Sequence, residues 1–257
     1  MPDDPKSGVT QEHEGELSAG GVALDLRYRP QIQAARGDLD RLYETRFSAR
    51  DAAAKDGVWA EICHYLQRFV TPDAPVLDVA ADRGHFIRNI RADERWATDL
   101  RDVREHLGPD VRFVQVTGVE MSRVLPHDHF GTVFMSNYLE HLADSDMVVR
   151  QLVEARAVCR PGGRVVILQP NIRLVGGAYW DFIDHRTALT ERSLVEAAEL
   201  AGFTHLRVIT RFLPFTTKSR LPRAPALVRW YLRCPPAWLL LGKQTLYVGQ
   251  RPADSRA

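Results

Sequence analysis

Apolar residues along the chain follow two different spacings. Across residues 38–70 they recur every three or four positions, as Leu39 and Leu42 do, which predicts two helices covering one edge of the core. After Thr71-Pro72, short apolar runs alternate with segments of helical spacing. This alternation predicts an α/β fold with a parallel sheet and helices on both faces.

The predicted strands and helices can be placed from these runs. Strands are expected at 76–79, 96–99, 111–116, 132–136, 164–168, 205–212 and 244–250. Helices are expected at about 84–91, near 103–107, at 144–159 and at 190–201. Thr190 is a favoured residue type at a helix start, and Gly202 stands where glycine commonly ends a helix.

Composition supports one sizeable α/β core with appended segments. The chain has 257 residues, of which 45% are hydrophobic. Residues 1–36 form an acidic leader that we expect to be disordered and that has no apolar run of a secretory signal. Residues 37–70 are expected to form an N-terminal helical cap. The sequence contains no run of 18 apolar residues, so no transmembrane helix is predicted.

Charge and cysteine content exclude some classes of protein. The formal net charge is +1, so no global field favours a nucleic-acid partner. Cys63, Cys159 and Cys234 are odd in number and widely spaced, which predicts neither a disulfide framework nor a CxxC metal site. These features favour a cytoplasmic location.

The stretch from Val76 to Phe86 is the most informative part of the chain. An apolar strand runs into a tight turn of small residues and then into a helix. At the carboxyl end of a parallel strand, backbone N–H groups converge where a ligand with a ribose and a polar tail can lie. Ordinary strand-to-helix turns show the same pattern, so further motifs are needed to decide.

Four motifs are specific when their order and spacing along the chain are taken together. They are Asp78 to Gly84, the acid Asp99, Phe134 to Leu142, and Arg160-Pro161-Gly162-Gly163. Over about residues 43–251 the chain resembles the class I S-adenosylmethionine-dependent methyltransferases, particularly the small-molecule type of bacterial glycan and natural-product biosynthesis. Three later stretches, 169–173, 179–185 and 211–214, resemble one subgroup of that type.

The resemblance implies a fold and an activity. The fold would be Rossmann-like, with a seven-stranded, mostly parallel sheet whose last strand is antiparallel, and the methyltransferase domain would span 71–251. The activity would be methyl transfer from S-adenosylmethionine to a hydroxyl, or secondarily an amine, of a small sugar-containing metabolite or glycan precursor. The implied cofactor-binding residues are Asp78, Ala80, Asp82, Gly84, Asp99, Leu100, Gly118, Val119, Glu120, Ser136 and Asn137.

Within that set, Asp99 is expected to accept hydrogen bonds from both ribose hydroxyls, although the same carboxylate could instead cap a helix. Departures from the family pattern stand at three places. Of the usual glycines only Gly84 remains, Asp82 adds a carboxylate, and Val119 replaces an acid that commonly meets the adenine amino group. A non-catalytic or regulatory descendant, or an enzyme that does other chemistry with the cofactor, is therefore an alternative.

Two histidines are candidates for the general base that a hydroxyl acceptor needs. His185 has Asp184 and Asp181 close in sequence, and its alternative is a solvated loop residue. His141 stands beside Glu140, and its alternative is a residue that packs the site. The proposed acceptor-binding residues are Tyr179, Trp180, Asp181, Asn171 and Arg211. His127-Asp128-His129 is interpreted as a solvated loop, so no metal is predicted.

The last distinctive feature is a helical insertion at 218–243 between the two closing strands. Aromatic and aliphatic residues alternate there with arginines. This character fits a peripheral membrane contact through 222–241 at the inner membrane face. A cap over the substrate cleft and a homodimer surface are the alternatives.

Overall fold

Seven strands form a single sheet in the computed structural model, which describes residues 49–215 and 224–253, with side chains from residue 55 onward. The strands are β1 (Val76–Val79), β2 (Arg95–Asp99), β3 (Val111–Gln115), β4 (Phe130–Ser136), β5 (Cys159–Pro170), β6 (Thr204–Leu213) and β7 (Gln244–Gln250). Their order is β3-β2-β1-β4-β5-β7-β6, and β7 is antiparallel to both of its neighbours. The predicted α/β fold with an antiparallel last strand is confirmed.

Seven α-helices are described with this sheet. They are α1 (Ala49–Leu66), α2 (His85–Asn89), α3 (Ser145–Val158), α4 (Ile172–Val175), α5 (Glu191–Leu200), α6 (Pro225–Arg233) and α7 (Pro235–Leu241). The expected leader at 1–36, the cap as far as residue 48, and residues 216–223 of the insertion lie outside the described residues. No helix within the described ranges has the length and apolarity needed to cross a bilayer.

Three predicted elements differ from the observed ones. The helix expected at 84–91 is shorter, and that expected near 103–107 is a single 3-10 turn at Arg104–His106. The strand expected at 164–168 is longer because its pairing with β4 continues across an irregularity. Phe130 pairs with Cys159 and Thr132 with Arg164, so the predicted 160–163 turn is a bulge within β5.

Strand residues alternate between two hydrophobic clusters, one on each face of the sheet. Leu77 packs with α3 and α5 on one face, whereas Val76 packs with α1, α2, α6 and α7 on the other. Successive side chains of a strand point to opposite faces, and burial on both faces explains the near-continuous apolar runs of β1, β4 and β5.

The helices of the insertion, α6 and α7, pack into the hydrophobic cluster that contains Val76. Tyr231 and Trp238 are buried, the Tyr231 hydroxyl donates to the Phe212 carbonyl at 2.7 Å, and the Trp238 indole N–H donates to the Tyr231 carbonyl at 2.8 Å. Both polar atoms therefore keep a partner when the aromatic rings leave water. These contacts fix α6 and α7 against β6.

Substitution Thr190→Ala tests the start of α5. The Thr190 hydroxyl accepts from the Ser193 amide at 3.1 Å, and the Ser193 hydroxyl accepts from the Thr190 amide at 2.9 Å. Loss of such a cap costs about 0.5–2 kcal/mol. We expect the free energy of unfolding in urea to fall by about that amount. Ser145→Ala, in the exposed first turn of α3, is the control and should change it by a few tenths at most.

Candidate active site

The carboxyl ends of β1, β2 and β4 meet at one edge of the sheet. These strands are adjacent and parallel, so residues at their ends lie close together. Asp78 lies within β1, Asp99 ends β2 and Ser136 ends β4. The edge therefore gathers the side chains that were predicted from separate parts of the sequence.

The turn after β1 retains a glycine-like backbone without most of the glycines. Ala80, Asp82 and Gly84 have φ values of 56°, 49° and 64°. Only glycine adopts this left-handed region freely, and Asp tolerates it better than most residues. At Gly84 space is also limiting, since a Cβ there would lie 2.6 Å from Leu107 Cδ2.

Asp78 is buried beneath this turn. Burial raises the pKa of its carboxyl well above the usual range, although a hydrogen bond from the Ile87 amide opposes the shift. The nearby carboxylates of Asp99 and Asp82 raise the pKa further. Asp78 thus links β1 to the first turn of α2. Its predicted contact with the amino group of a ligand remains a prediction.

Asp99 is held by backbone donors on both of its oxygens. Its Oδ2 accepts from the Asp82 amide at 3.0 Å, and its Oδ1 accepts from the Arg101 amide at 2.9 Å. Burial raises its pKa, whereas the Arg101 charge lowers it. Each carboxylate oxygen has a second lone pair, so ribose hydroxyls can still donate to them. The helix-cap alternative does not apply, because the bonded amides lie in two loops.

Arg101 connects the two acidic residues of these loops. Its Nη2 donates to Asp82 Oδ1 at 2.6 Å, and its Nε lies 3.5 Å from Asp99 Oδ1. The carboxylate that replaces a glycine is therefore neutralised within the protein. Sequence reasoning missed Arg101. The available signal was an arginine two residues after the β2 acid in a chain that carries Asp82 in the turn after β1.

The 3-10 turn Gly118–Arg123 borders the same edge beyond β3. A Cβ on Gly118 would lie 2.3 Å from Gln151 Oε1 and 2.6 Å from the Tyr138 hydroxyl, which donates to that Oε1 at 3.0 Å. Burial raises the pKa of Tyr138, and the negative charge of Asp99 raises it further. Tyr138 and Gln151 therefore shape this region, although neither was predicted.

The other predicted cofactor residues line the same loops. Val119 is buried, and Glu120 forms an ion pair with Arg123 at 3.0 Å. The Leu100 carbonyl accepts from the Gln115 side chain at 3.0 Å. Asn137 has a φ of 47° and its amide donates to the Leu168 carbonyl, which turns the chain sharply after Ser136.

Backbone hydrogen bonds join the loop after β4 to a segment over forty residues away. The Glu140 carbonyl accepts from the amides of Arg186 at 2.8 Å and Thr187 at 3.1 Å. The Thr187 hydroxyl donates to the Leu142 carbonyl at 2.8 Å. We call residues 139–142 and 184–187, joined in this way, the histidine clasp. It brings His141 and His185 together, with ring centroids 5.1 Å apart.

His141 is oriented by Asp184. Its Nδ1 lies 3.0 Å from the Asp184 carbonyl oxygen and 3.4 Å from the Asp184 carboxylate. Two oxygen acceptors at Nδ1 favour the tautomer that carries its hydrogen there, which leaves Nε2 as a proton acceptor. Asp184 was predicted beside His185, but the structure places its carboxylate on His141.

Glu140 adds a buried acid to the clasp. Its carboxylate accepts from the Gln169 amide at 3.1 Å. Burial raises its pKa, whereas the adjacent His141 lowers it. Glu140, His141 and His185 each place one potential metal-ligand atom within 4.8 Å of the others. The His185 ring stacks on Phe182, with centroids 4.9 Å apart.

The predicted acceptor-binding residues separate into two groups. Trp180 and Asp181 are exposed in the segment before the clasp histidine His185. The others have structural contacts that do not agree with direct contact to an acceptor. Tyr179 is fully buried and its hydroxyl donates to Thr187, buried Asn171 begins α4, and Arg211 Nη1 lies 3.5 Å from the Gly242 carbonyl beside α7.

Comparison with known proteins identifies the family. A family model for a methyltransferase domain matches residues 52–208, more than half of the chain. The chain belongs to this methyltransferase family. Its fold is that of the class I, S-adenosylmethionine-dependent methyltransferases among the solved structures it resembles. Among curated proteins, none matches the sequence.

Solved structures share the fold of this methyltransferase at low identity. A SAM-dependent methyltransferase from Archaeoglobus fulgidus is 15% identical, with a TM-score of 0.53, over 74% of this chain and 92% of its own. An S-adenosylmethionine-dependent methyltransferase from Mesorhizobium loti is 16% identical, with a TM-score of 0.54, over 72% and 95%. The [4+2]-cyclase SpnF is 17% identical, with a TM-score of 0.53, over 76% and 81%.

The residues at the sheet edge fit the cofactor. The left-handed backbone at Ala80, Asp82 and Gly84 allows the close approach that the family turn provides. Asp99 stands where the ribose hydroxyls can donate, and Arg101 neutralises the additional acid at Asp82. These features fit S-adenosylmethionine, although one family glycine stands in place of three.

Substitution Asp99→Asn tests the ribose contact. The substitution replaces one carboxylate oxygen by an amide N–H₂, which would face a backbone donor, and it removes the negative charge that the ribose hydroxyls would bond. Hydrogen bonds to a charged acceptor are worth about 1.5–3 kcal/mol. We expect the binding free energy for S-adenosylmethionine in calorimetric titration to weaken by about that amount. Asp102→Asn, at an exposed acid three residues on, is the control. Unchanged affinity in Asp99→Asn, with unfolding temperatures matched, would contradict the assignment.

Substitution Glu140→Gln tests the buried acid of the clasp through the pH dependence of stability. Burial raises the pKa of Glu140 above 4.5, so the folded state binds its proton more tightly than the unfolded chain does. The charged form therefore costs stability, and the cost grows as the pH rises above 4.5. We expect Glu140→Gln to gain free energy of unfolding relative to the wild type from acidic to neutral pH.

The control for this comparison is Glu196→Gln on the exposed side of α5. Its difference from the wild type should stay small across the same range. A constant difference for Glu140→Gln at every pH would show that the burial of this carboxyl does not affect its protonation.

Proposed function

We propose that this methyltransferase transfers a methyl group to a hydroxyl of a small sugar-containing metabolite or glycan precursor, with His141 as general base. The observation that carries the proposal is the pair formed by His141 and Asp184, held by the histidine clasp at the end of β4. That position adjoins the cofactor edge, by which we mean the carboxyl ends of β1 and β2 with the turn after β1, because β4 lies next to β1 in the sheet. A base there can reach an acceptor that approaches the cofactor.

S-adenosylmethionine, when bound, supplies an electrophilic methyl group on a sulfonium. The protein residues must then orient the acceptor and remove its proton. His141 Nε2 accepts the proton of the acceptor hydroxyl as its oxygen attacks. Asp184 keeps the imidazole in the required tautomer and stabilises the positive charge that develops on it. Asp99 and the turn after β1 fix the other reactant.

A hydroxyl acceptor agrees with the oriented base. A neutral amine attacks through its own lone pair, whereas an alcohol is a weak nucleophile until a base takes its proton. Trp180 and Asp181 are exposed close to the clasp. An aromatic face packs against the C–H groups of a sugar, and a carboxylate accepts from its hydroxyls. These residues therefore support a sugar-containing acceptor.

Direct detection of methyl transfer is required, because the fold is shared with a [4+2]-cyclase. The full chain is incubated with methyl-labelled S-adenosylmethionine and a bacterial low-molecular-mass extract. Label should appear in a product that is one methyl group heavier than a sugar-containing precursor. Cofactor binding without label transfer would favour other chemistry, and absence of binding would favour a non-catalytic protein.

Substitution His141→Gln separates catalysis from binding. The amide cannot take up the acceptor proton, and a positioned general base contributes roughly 10²–10⁴ in rate. We expect methyl transfer to fall by about that factor while calorimetric affinity for S-adenosylmethionine is unchanged. His205→Gln, an exposed histidine paired with Glu199, is the control and should retain full turnover.

Two additional measurements make this test specific. If His185→Gln abolishes turnover and His141→Gln does not, His185 is the base and the proposed assignment is wrong. Dialysis against EDTA should leave turnover unchanged, because the proposed base acts without a metal. Loss of turnover that added divalent metal restores would instead assign Glu140, His141 and His185 to a metal site.

A further inference from the structure

Positive charge is concentrated in the last fifth of the chain. Residues 200–253 contain nine Lys and Arg side chains and no Asp or Glu, whereas the complete chain has 34 basic and 33 acidic residues. Most of this segment forms β6, α6, α7 and β7. The near-neutral net charge therefore conceals a one-sided distribution.

Three consecutive leucines are exposed at the end of α7. The fractional exposures of Leu239, Leu240 and Leu241 are 68%, 82% and 40%. Trp238 is buried and fixes the helix by its hydrogen bond to the Tyr231 carbonyl. Leu239 and Leu240 lie about 100° and 200° around the helix from buried Trp238, so they face outward. Leu241 is the last residue of the helix. We call Leu239, Leu240 and Leu241 the leucine tip.

A basic groove adjoins the leucine tip. Arg207 and Leu239 line the same depression between β6 and α7, and Arg207 also lines a groove of about 590 Å³ with Arg68 and Arg233. Within the described residues, Arg207 and Arg233 form neither an ion pair nor a side-chain hydrogen bond, in contrast to Arg229, which binds Glu61 through two nitrogens. Two arginines are thus available for an external anion.

We propose that the leucine tip and the basic groove dock the protein on an anionic lipid bilayer. The leucines would enter the boundary between headgroups and acyl chains, where burial of apolar surface is favourable. Arg207 and Arg233 would bind lipid phosphates, which a guanidinium can do through two parallel hydrogen bonds. Trp230, which is 59% exposed on α6, suits the headgroup level.

Charge complementarity selects this occupant over a second copy of the chain. A symmetric dimer through the leucine tip would bring two copies of the same surface together. Arg207 and Arg233 would then face like charges, because Glu61, the acid that lines the groove, is already bound by Arg229. A bilayer provides both apolar and negatively charged groups. The docking is independent of the proposed acceptor and of His141.

Vesicle flotation tests the docking. The full chain is mixed with phosphatidylcholine vesicles that contain or lack phosphatidylglycerol. We expect it to float with the anionic vesicles and to be released by high salt, because surface charge attraction is screened. Arg207→Gln with Arg233→Gln should weaken partitioning roughly tenfold or more, given about 1 kcal/mol per basic residue near the surface.

Substitution of the leucine tip provides an independent test. Leu239→Ser with Leu240→Ser should weaken partitioning by roughly tenfold or more, because two exposed leucines no longer enter the bilayer. Matched controls are Leu200→Ser and Arg192→Gln, whose side chains are 74% and 81% exposed. Both residues belong to α5, which packs on the opposite face of the sheet. Both should float as the wild type does. Thermal unfolding confirms that every variant is folded.

Several outcomes would overturn the docking proposal. These are no flotation of the wild type, equal flotation with and without phosphatidylglycerol, or tip and groove variants that float like the controls. A wild-type dimer that Leu239→Ser with Leu240→Ser converts to a monomer would assign the surface to a second copy instead. Methyl transfer that persists in non-docking variants leaves the proposed function intact, so the two proposals fail separately.

Discussion

The cofactor edge depends on a balance of charge at the turn after β1. Asp82 places a carboxylate where a neutral glycine is usual, and Asp78 and Asp99 are acids within the same small region. Three carboxylates so close would repel one another and an anionic ligand tail. Arg101 resolves this by binding Asp82 at 2.6 Å while it remains close to Asp99. The carboxylate of Asp82 in the turn is therefore matched by a positive charge in the neighbouring loop.

A second constraint positions the chemistry. The loop after β4 is short, and its carbonyl at Glu140 has no partner within a sheet, so it accepts amides from Arg186 and Thr187 instead. Buried Tyr179 supports the distant side of this contact through its hydroxyl. The histidines are thus held by backbone bonds, and Asp184 reaches His141 because of them. The proposed transfer to a hydroxyl requires a base that is held rigidly in this way.

The strands and the sheet-edge residues were predictable because they follow from local patterns: apolar runs, a turn and an acid at a strand end. The pairs that tune the site were not. Arg101 with Asp82 and Asp184 with His141 join residues 19 and 43 positions apart, and no local spacing encodes these contacts. Tyr179 was predicted to bind the acceptor because it stands in a stretch that is dense in aromatic residues. Such stretches are at least as often core, and the full burial of Tyr179 places it there.

Arg211 shows how strand alternation separates two roles at one end of the sheet. On β6, Ile209 belongs to the hydrophobic cluster that α6 and α7 cover, whereas Val208 packs against the opposite cluster. Residues two apart on a strand share a face, so Arg207 stands with Ile209 beside α7. Beyond the irregularity that follows Ile209, Arg211 lines the same depression. Arg211 therefore lies on the side of the basic groove and not in the clasp. The same alternation explains why the insertion can carry an exposed, positively charged surface without disturbing the site on the edge of the sheet.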